Sequence, residues 1–110
     1  MAKTYLANAF SLNMVQLPCT IKAEEAKAEE VAAVDFVSAV GHEATAAVLT
    51  KKLGKEVPAN RTVVSLASGD TLYVTALFQG GKPYRPPEGK VLNEQELNQL
   101  EVKLVKVTVL

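Results

Sequence analysis

The stretch from residue 34 to residue 54, Val-Asp-Phe-Val-Ser-Ala-Val-Gly-His-Glu-Ala-Thr-Ala-Ala-Val-Leu-Thr-Lys-Lys-Leu-Gly, decides how this chain is read. Residues 34–40 form a short apolar run rich in valine and read as a buried strand. Gly41 breaks it. Residues 42–53 then place His42, Ala46, Leu49 and Leu53 on one face at helical spacing, and Gly54 supplies a C-terminal stop. A strand therefore hands over to a helix at Gly41-His42. In α/β sheets such junctions present free backbone N–H groups and a helix dipole to anions.

Working outward, residues 3–10 read as a first strand ending in a polar turn that carries Asn8, Ser11 and Asn13. Residues 19–22 read as a short strand. Residues 24–32 favour helix by their Ala, Glu and Lys content. Residues 61–67 alternate enough to be a strand, Ser68-Gly69-Asp70 is a tight turn, and residues 71–79 (TLYVTALFQ) are a β-rich strand, so these two are expected to form a hairpin. Residues 80–90, with three of the five prolines, read as a long loop. Asn93 and Glu96 have the spacing of a capping box for a helix over 93–100. Residues 101–110 alternate as a last strand. The order β(β)αβαββαβ predicts one α/β domain over residues 1–110, with a mixed, mostly parallel sheet flanked by helices.

Composition narrows the function. The chain has 110 residues, 48% hydrophobic and 22% charged, with zero formal net charge. Duplex nucleic-acid binders usually carry a basic excess, so neutrality and only two arginines, Arg61 and Arg85, argue against that class. A single cysteine excludes an intrachain disulfide, fits a reducing cytoplasm, and makes Cys19 an expected buried, inert thiol. The first residues lack a signal-peptide pattern, and no apolar run is long enough to cross a bilayer. One histidine, one cysteine and scattered carboxylates give no metal-ligand spacing, and neither a P-loop nor a nucleophile elbow is present. No metal or cofactor is expected.

Scarcity singles out His42, because imidazole alone ordinarily titrates near neutrality. With Arg85 and Glu88 in the stiff loop Pro83-Tyr84-Arg85-Pro86-Pro87-Glu88-Gly89, and with the turn at Asn8, Ser11 and Asn13, it forms a set suited to phosphodiester cleavage. A histidine protonates the leaving oxygen, an arginine offsets charge on phosphorus, and amides and hydroxyls hold the ligand. Each group also has an ordinary structural role: a cap for His42, a solvated loop tip for Arg85, a turn residue for Glu88 and an ion-pair partner for Arg61.

Several segments together resemble one family. They are residues 5–14 (YLANAFSLNM), residues 36–45 (FVSAVGHEAT, with the pattern G-H-[DE]-x-T), Asn60-Arg61, Gly69-Asp70, and residues 85–92 (RPPEGKVL). The family is that of the viral anti-CRISPR ring nucleases of type III systems, first met in small proteins of archaeal viruses. The resemblance covers nearly the whole chain. It implies a homodimer that binds cyclic tetra-adenylate across its interface and cuts it without metal to di-adenylates ending in a 2′,3′-cyclic phosphate. It implies catalytic roles for His42, Arg85 and Glu88. It implies ligand contacts at Asn8, Ser11, Asn13, Gly41, Thr45, Arg61 and Gln79. Where the family loop often reads R-L-P-E-G, Pro86 replaces the apolar residue here, and the stretch 79–84 is longer than in some relatives. A non-catalytic sponge for the cyclic nucleotide and a viral DNA-binding or regulatory protein are the alternatives. Host cytoplasm is the expected location.

Overall fold

Thr4–Ala7 (β1) lies inside a mixed sheet, one strand in from its edge and parallel to a neighbour on each side. In this computed structural model, which describes residues 2–84, 87 and 92–110, the other elements follow in order. They are Ile21–Ala26 (β2), Ala28–Ala32 (α1), Val37–Ser38 (β3), Glu43–Leu53 (α2), Thr71–Gln79 (β4), Lys82–Pro83 (β5), Glu94–Asn98 (α3) and Leu100–Val109 (β6). Among the described residues the sheet order is β2-β6-β4-β1-β3, with β5 added to the end of β4.

The α/β class and mixed sheet agree with expectation, but the balance of directions does not. Parallel pairing is confined to β3-β1-β4, while β2–β6, β6–β4 and β4–β5 are antiparallel. Helix length explains this. Nine-residue β4 is roughly 30 Å long, whereas five-residue α3 rises only about 7.5 Å. A helix that short does not carry the chain back along β4. The chain re-enters the sheet at the end where it left, and β6 runs antiparallel.

Two layers cover the sheet. On one face Leu6, Tyr73, Leu77 and Leu104 pack with Val31 of α1, Leu49 and Leu53 of α2, and Leu97 of α3. Tyr73 Oη donates to Glu30 Oε2 at 2.8 Å, tying α1 to β4. Burial first, and the Glu30 carboxylate second, push its phenol up to about 12. The opposite face, with Ala7, Leu72 and Val107, is covered by irregular chain carrying Val64 and Leu66 rather than by a helix.

That covering explains why residues 61–67 are not the expected strand. Their alternation is real: Val64 and Leu66 are buried, while Val63 and Ser65 are exposed. It records an extended segment lying on the sheet, not a rung of it. Leu66 N donates to Met14 O, and Leu66 bridges only Val15. The expected hairpin partner position beside β4 is already occupied on both sides, by β1 and β6.

Other boundaries shift for similar reasons. Glu24, Glu25 and Ala26, expected in a helix, belong to edge strand β2, where Glu24 lies opposite Lys106 of β6. Helix propensity is worth tenths of a kcal/mol per residue and yields to a long strand that needs a partner. The run 34–40 contributes only two strand residues, and Val37 is 51% exposed, because β3 is an edge. Cys19 is exposed rather than buried. The expected long loop begins as a tight hairpin: Gly80 and Gly81 have φ of 59° and 80°, a pair of left-handed residues that turns β4 into β5.

Candidate functional site

Three parallel strands, β1, β3 and β4, point their C-terminal ends the same way, and α2 begins where β3 exits. That edge gathers most of the described candidate residues. His42 is the N-cap of α2, as the strand-to-helix reading requires. The residue is buried at 6% exposure. Nδ1 accepts from the backbone N–H of Thr45 at 3.3 Å and lies 3.0 Å from the Thr45 hydroxyl. Histidine is an unusual cap, since Ser, Thr, Asp and Asn dominate the position. An Nδ1 that accepts an N–H bond carries no proton, which places the neutral ring's hydrogen on Nε2.

Thr45 is poised to serve two protonation states. Its hydroxyl donates to a neutral Nδ1 and accepts from Nδ1–H when the ring is charged. Its own burial and its place one turn into α2 hold that hydroxyl beside the ring.

Arg61 reaches the same edge through backbone stitching. Asn60 N donates to Val40 O at 2.8 Å, Asn60 Nδ2 donates to Ser38 O at 2.7 Å, and Ser38 Oγ donates to Pro58 O at 2.7 Å. These bonds lay segment 58–60 against the exit of β3 and set the Arg61 side chain over Gly41. A Cβ at Gly41 would meet Arg61 Nε at 3.4 Å and its Cβ and Cγ at 3.5 Å. Arg61 makes no ion pair with a described residue, so the ion-pair reading finds no partner there. Gly41 is what lets the guanidinium stem approach the backbone that leads into His42.

Asn8, one residue beyond β1, lines a hollow of about 300 Å³ together with Thr45, Thr75, Leu77, Pro83 and Tyr84. Ser11 and Asn13 sit on the following turn, exposed, and do not line it. Ser11 contributes its carbonyl to Met14 N at 3.1 Å, and its side chain makes no cap bond. Gln79 ends β4 opposite Leu100, exposed and outside the hollow's lining. Arg85 and Glu88 lie outside the described residues.

Thr75 was not singled out by sequence. It sits on β4 between Tyr73 and Leu77, on the face that packs against the helices, and is 2% exposed. Its Oγ1 is sealed from water with no hydrogen-bond partner among the described residues. Such a hydroxyl costs about 1–3 kcal/mol. The signal was present in TLYVTALFQ: one hydroxyl interrupts the apolar face, hidden because threonine is itself a good strand former.

Among the described residues, no three His, Cys, Asp or Glu side chains gather as a metal site needs. No described helix is long and apolar enough to cross a membrane.

Comparison with known proteins places the chain. Residues 4–104 match the model of the STIV B116-like family. An uncharacterised protein, ORF117 of Acidianus two-tailed virus, is 36% identical over 100 residues, covering 84% of this chain and 81% of that one. Uncharacterised protein 26 of Sulfolobus islandicus filamentous virus is 44% identical over 66 residues, covering 59% of this chain and only about half (52%) of the relative's length. The solved structure of B116 of Sulfolobus turreted icosahedral virus superposes with a TM-score of 0.75 over 97% of this chain and 99% of that one, at 24% identity, a likeness of fold. With a family match spanning almost its whole length and relatives in archaeal viruses, the chain belongs to the STIV B116-like family of small viral proteins.

Proposed function

We propose that this protein is a metal-independent ring nuclease that cleaves cyclic tetra-adenylate to di-adenylate with a 2′,3′-cyclic phosphate and so switches off type III CRISPR defence. The observation that carries the reading is His42, clamped through Nδ1 at the N-terminus of α2, next to a glycine covered by Arg61. An anion is favoured at that helix end, where the imidazole caps the helix and the Arg61 side chain packs against the preceding glycine.

The chemistry needs no cofactor, because RNA carries its own nucleophile. The 2′-oxygen attacks the adjacent phosphorus in line and gives up its proton to solvent. The bond from phosphorus to the 5′-oxygen breaks, and the His42 imidazolium passes its Nε2 proton to that oxygen. Thr45 fixes the other side of the ring, so the donating nitrogen is held in one direction. Arg61 stands where it could bind a phosphate, while Arg85 and Glu88 keep the roles that the family resemblance implies: charge neutralisation at phosphorus and orientation of His42. The hollow of about 300 Å³ is small for a whole cyclic tetranucleotide, which favours a site completed by a second copy of the chain. Two-fold symmetry would then place one His42 at each of two opposite phosphates.

A binding-only sponge has one observation in its favour: capping α2 is a complete structural role for His42. The two readings are separated by incubating the protein with cyclic tetra-adenylate in EDTA and resolving the products by chromatography. Di-adenylate with a cyclic phosphate establishes the nuclease. Intact ligand that co-elutes with the protein establishes the sponge. Intact, unbound ligand removes both.

A further inference from the structure

We infer that Asn60 is a positioning residue, whose carboxamide fixes the place of Arg61 beside Gly41 and prepares it to meet an anionic ligand. The ligand's identity rests on the cyclic-nucleotide reading; the placement stands on hydrogen bonds within the chain. β3 is an edge strand. Ala39 N donates to Leu6 O of β1 at 2.7 Å, so the carbonyls of Ser38 and Val40, on either side of Ala39, turn toward the open edge. Asn60 takes both of them. Its backbone N–H donates to Val40 O at 2.8 Å, and its Nδ2 donates to Ser38 O at 2.7 Å. One residue thus occupies the edge as a further strand would, and the next residue in the chain is Arg61.

The chain on either side shows why this residue matters. Upstream the segment is pinned twice: Val57 N donates to the Thr50 hydroxyl of α2 at 2.9 Å, and Ser38 Oγ donates to Pro58 O at 2.7 Å. Downstream, no hydrogen bond between described residues holds Arg61, Thr62 or Val63, all of them exposed. The chain is next fixed at buried Val64 and at Leu66 N, which donates to Met14 O. Arg61 therefore stands directly after the last fixed point, and its contact with Gly41 follows from the direction in which the chain leaves Asn60. A single bond at that point is a pivot; two bonds to carbonyls two residues apart set a direction. Edge carbonyls can also turn to water, so closing the edge does not by itself call for a carboxamide here. An arginine whose stem is already placed loses less side-chain freedom when it binds than one that swings free, and affinity rises accordingly.

The test is a double-mutant cycle of wild type, Asn60→Ala, Arg61→Ala and the double variant. Each is titrated calorimetrically with the 2′-deoxy analogue of cyclic tetra-adenylate, which lacks the nucleophile and stays intact. With Arg61 present, Asn60→Ala is expected to weaken binding severalfold. In the Arg61→Ala background it is expected to change binding less than twofold, because the residue it positions is gone. Equal losses in both backgrounds mean that Asn60 acts through the fold at large and overturn the proposal, as does an Asn60→Ala protein that binds like wild type. Arg61→Ala binding like wild type also overturns it, and leaves the ring-nuclease reading to be decided by cleavage of the ribose ring. A second readout needs no ligand. The chain has only two arginines, so its Nε–Hε spectrum holds two arginine signals, and Arg61→Ala identifies the one that belongs to Arg61. Asn60→Ala is expected to move that signal in a protein that still melts cooperatively; an unmoved signal overturns the placement. A moved signal in a chain whose wild type does not bind the analogue keeps the placement and removes the cyclic nucleotide as its ligand.

Discussion

His42 Nδ1 accepts the backbone N–H of Thr45 at 3.3 Å and sits 3.0 Å from the same residue's hydroxyl, so one side chain both starts a helix and points a titratable ring. The double role separates stability from chemistry. His42→Ala removes the cap and is expected to cost about 1 kcal/mol, whereas His42→Asn replaces it with a strong N-cap that carries no transferable proton. Thermal unfolding should therefore rank wild type and His42→Asn together above His42→Ala. Cleavage should fall at least a hundredfold in both variants. An active His42→Asn protein would show that the ring is a cap and nothing more.

Gly41→Ala is a subtler probe of the same edge. The new methyl presses on Arg61 at 3.4–3.5 Å, a displacement of a few tenths of an ångström on an exposed residue. Stability should change by less than about 1 kcal/mol. Affinity for cyclic tetra-adenylate should drop severalfold, and Arg61→Ala should produce a loss at least as large. If calorimetry finds both variants binding like wild type, Arg61 is not a ligand contact.

Asp70 predicts the acid limb of stability. Its Oδ1 accepts from Lys3 N at 2.8 Å and its Oδ2 from Ala67 N at 2.9 Å, and these two bonds hold the carboxyl below the usual carboxylate range. A depressed native value means stability that is complete above the unfolded value near pH 4 and lost as pH falls through the native one. Asp70→Asn presents an N–H to one of the two backbone donors and is expected to cost about 2 kcal/mol at pH 7. Urea unfolding at pH 7 and pH 2.5 should find that gap narrowed at the lower pH.

Tyr73 sets the alkaline limb with the opposite sign. Its phenol is pushed up to about 12, so the folded state holds the proton more tightly than the unfolded chain, and stability declines as pH rises above about 10. Tyr73→Phe removes the bond to Glu30 Oε2, costs about 1 kcal/mol at neutral pH, and flattens that decline. Denaturant melts at pH 8 and pH 11 check both parts.

Sequence by itself determined the elements whose causes are local. Helix α2 is readable because its cap, apolar stripe and terminal Gly54 lie within thirteen residues of chain, and the reading that put His42 at its start is the observed one. The capping box of Asn93 and Glu96 is observed as expected, and β4 has the expected bounds, because each depends on neighbours a few residues away.

Tertiary structure alone decided what depends on distant partners. Glu24 and Glu25 are in a strand because β6 lies beside them, and residues 61–67 stay out of the sheet, bridged only to Val15, because β1 and β6 already flank β4. Arg61 reaches Gly41 through bonds between residues about twenty positions apart. Thr75 becomes notable only when its hydroxyl is seen to be buried without a partner among the described residues. Propensity and periodicity act over a few residues and are worth tenths of a kcal/mol each. Strand order, face covering and burial of a single oxygen are settled by packing across the whole sheet, where the energies are larger and the sequence separations long.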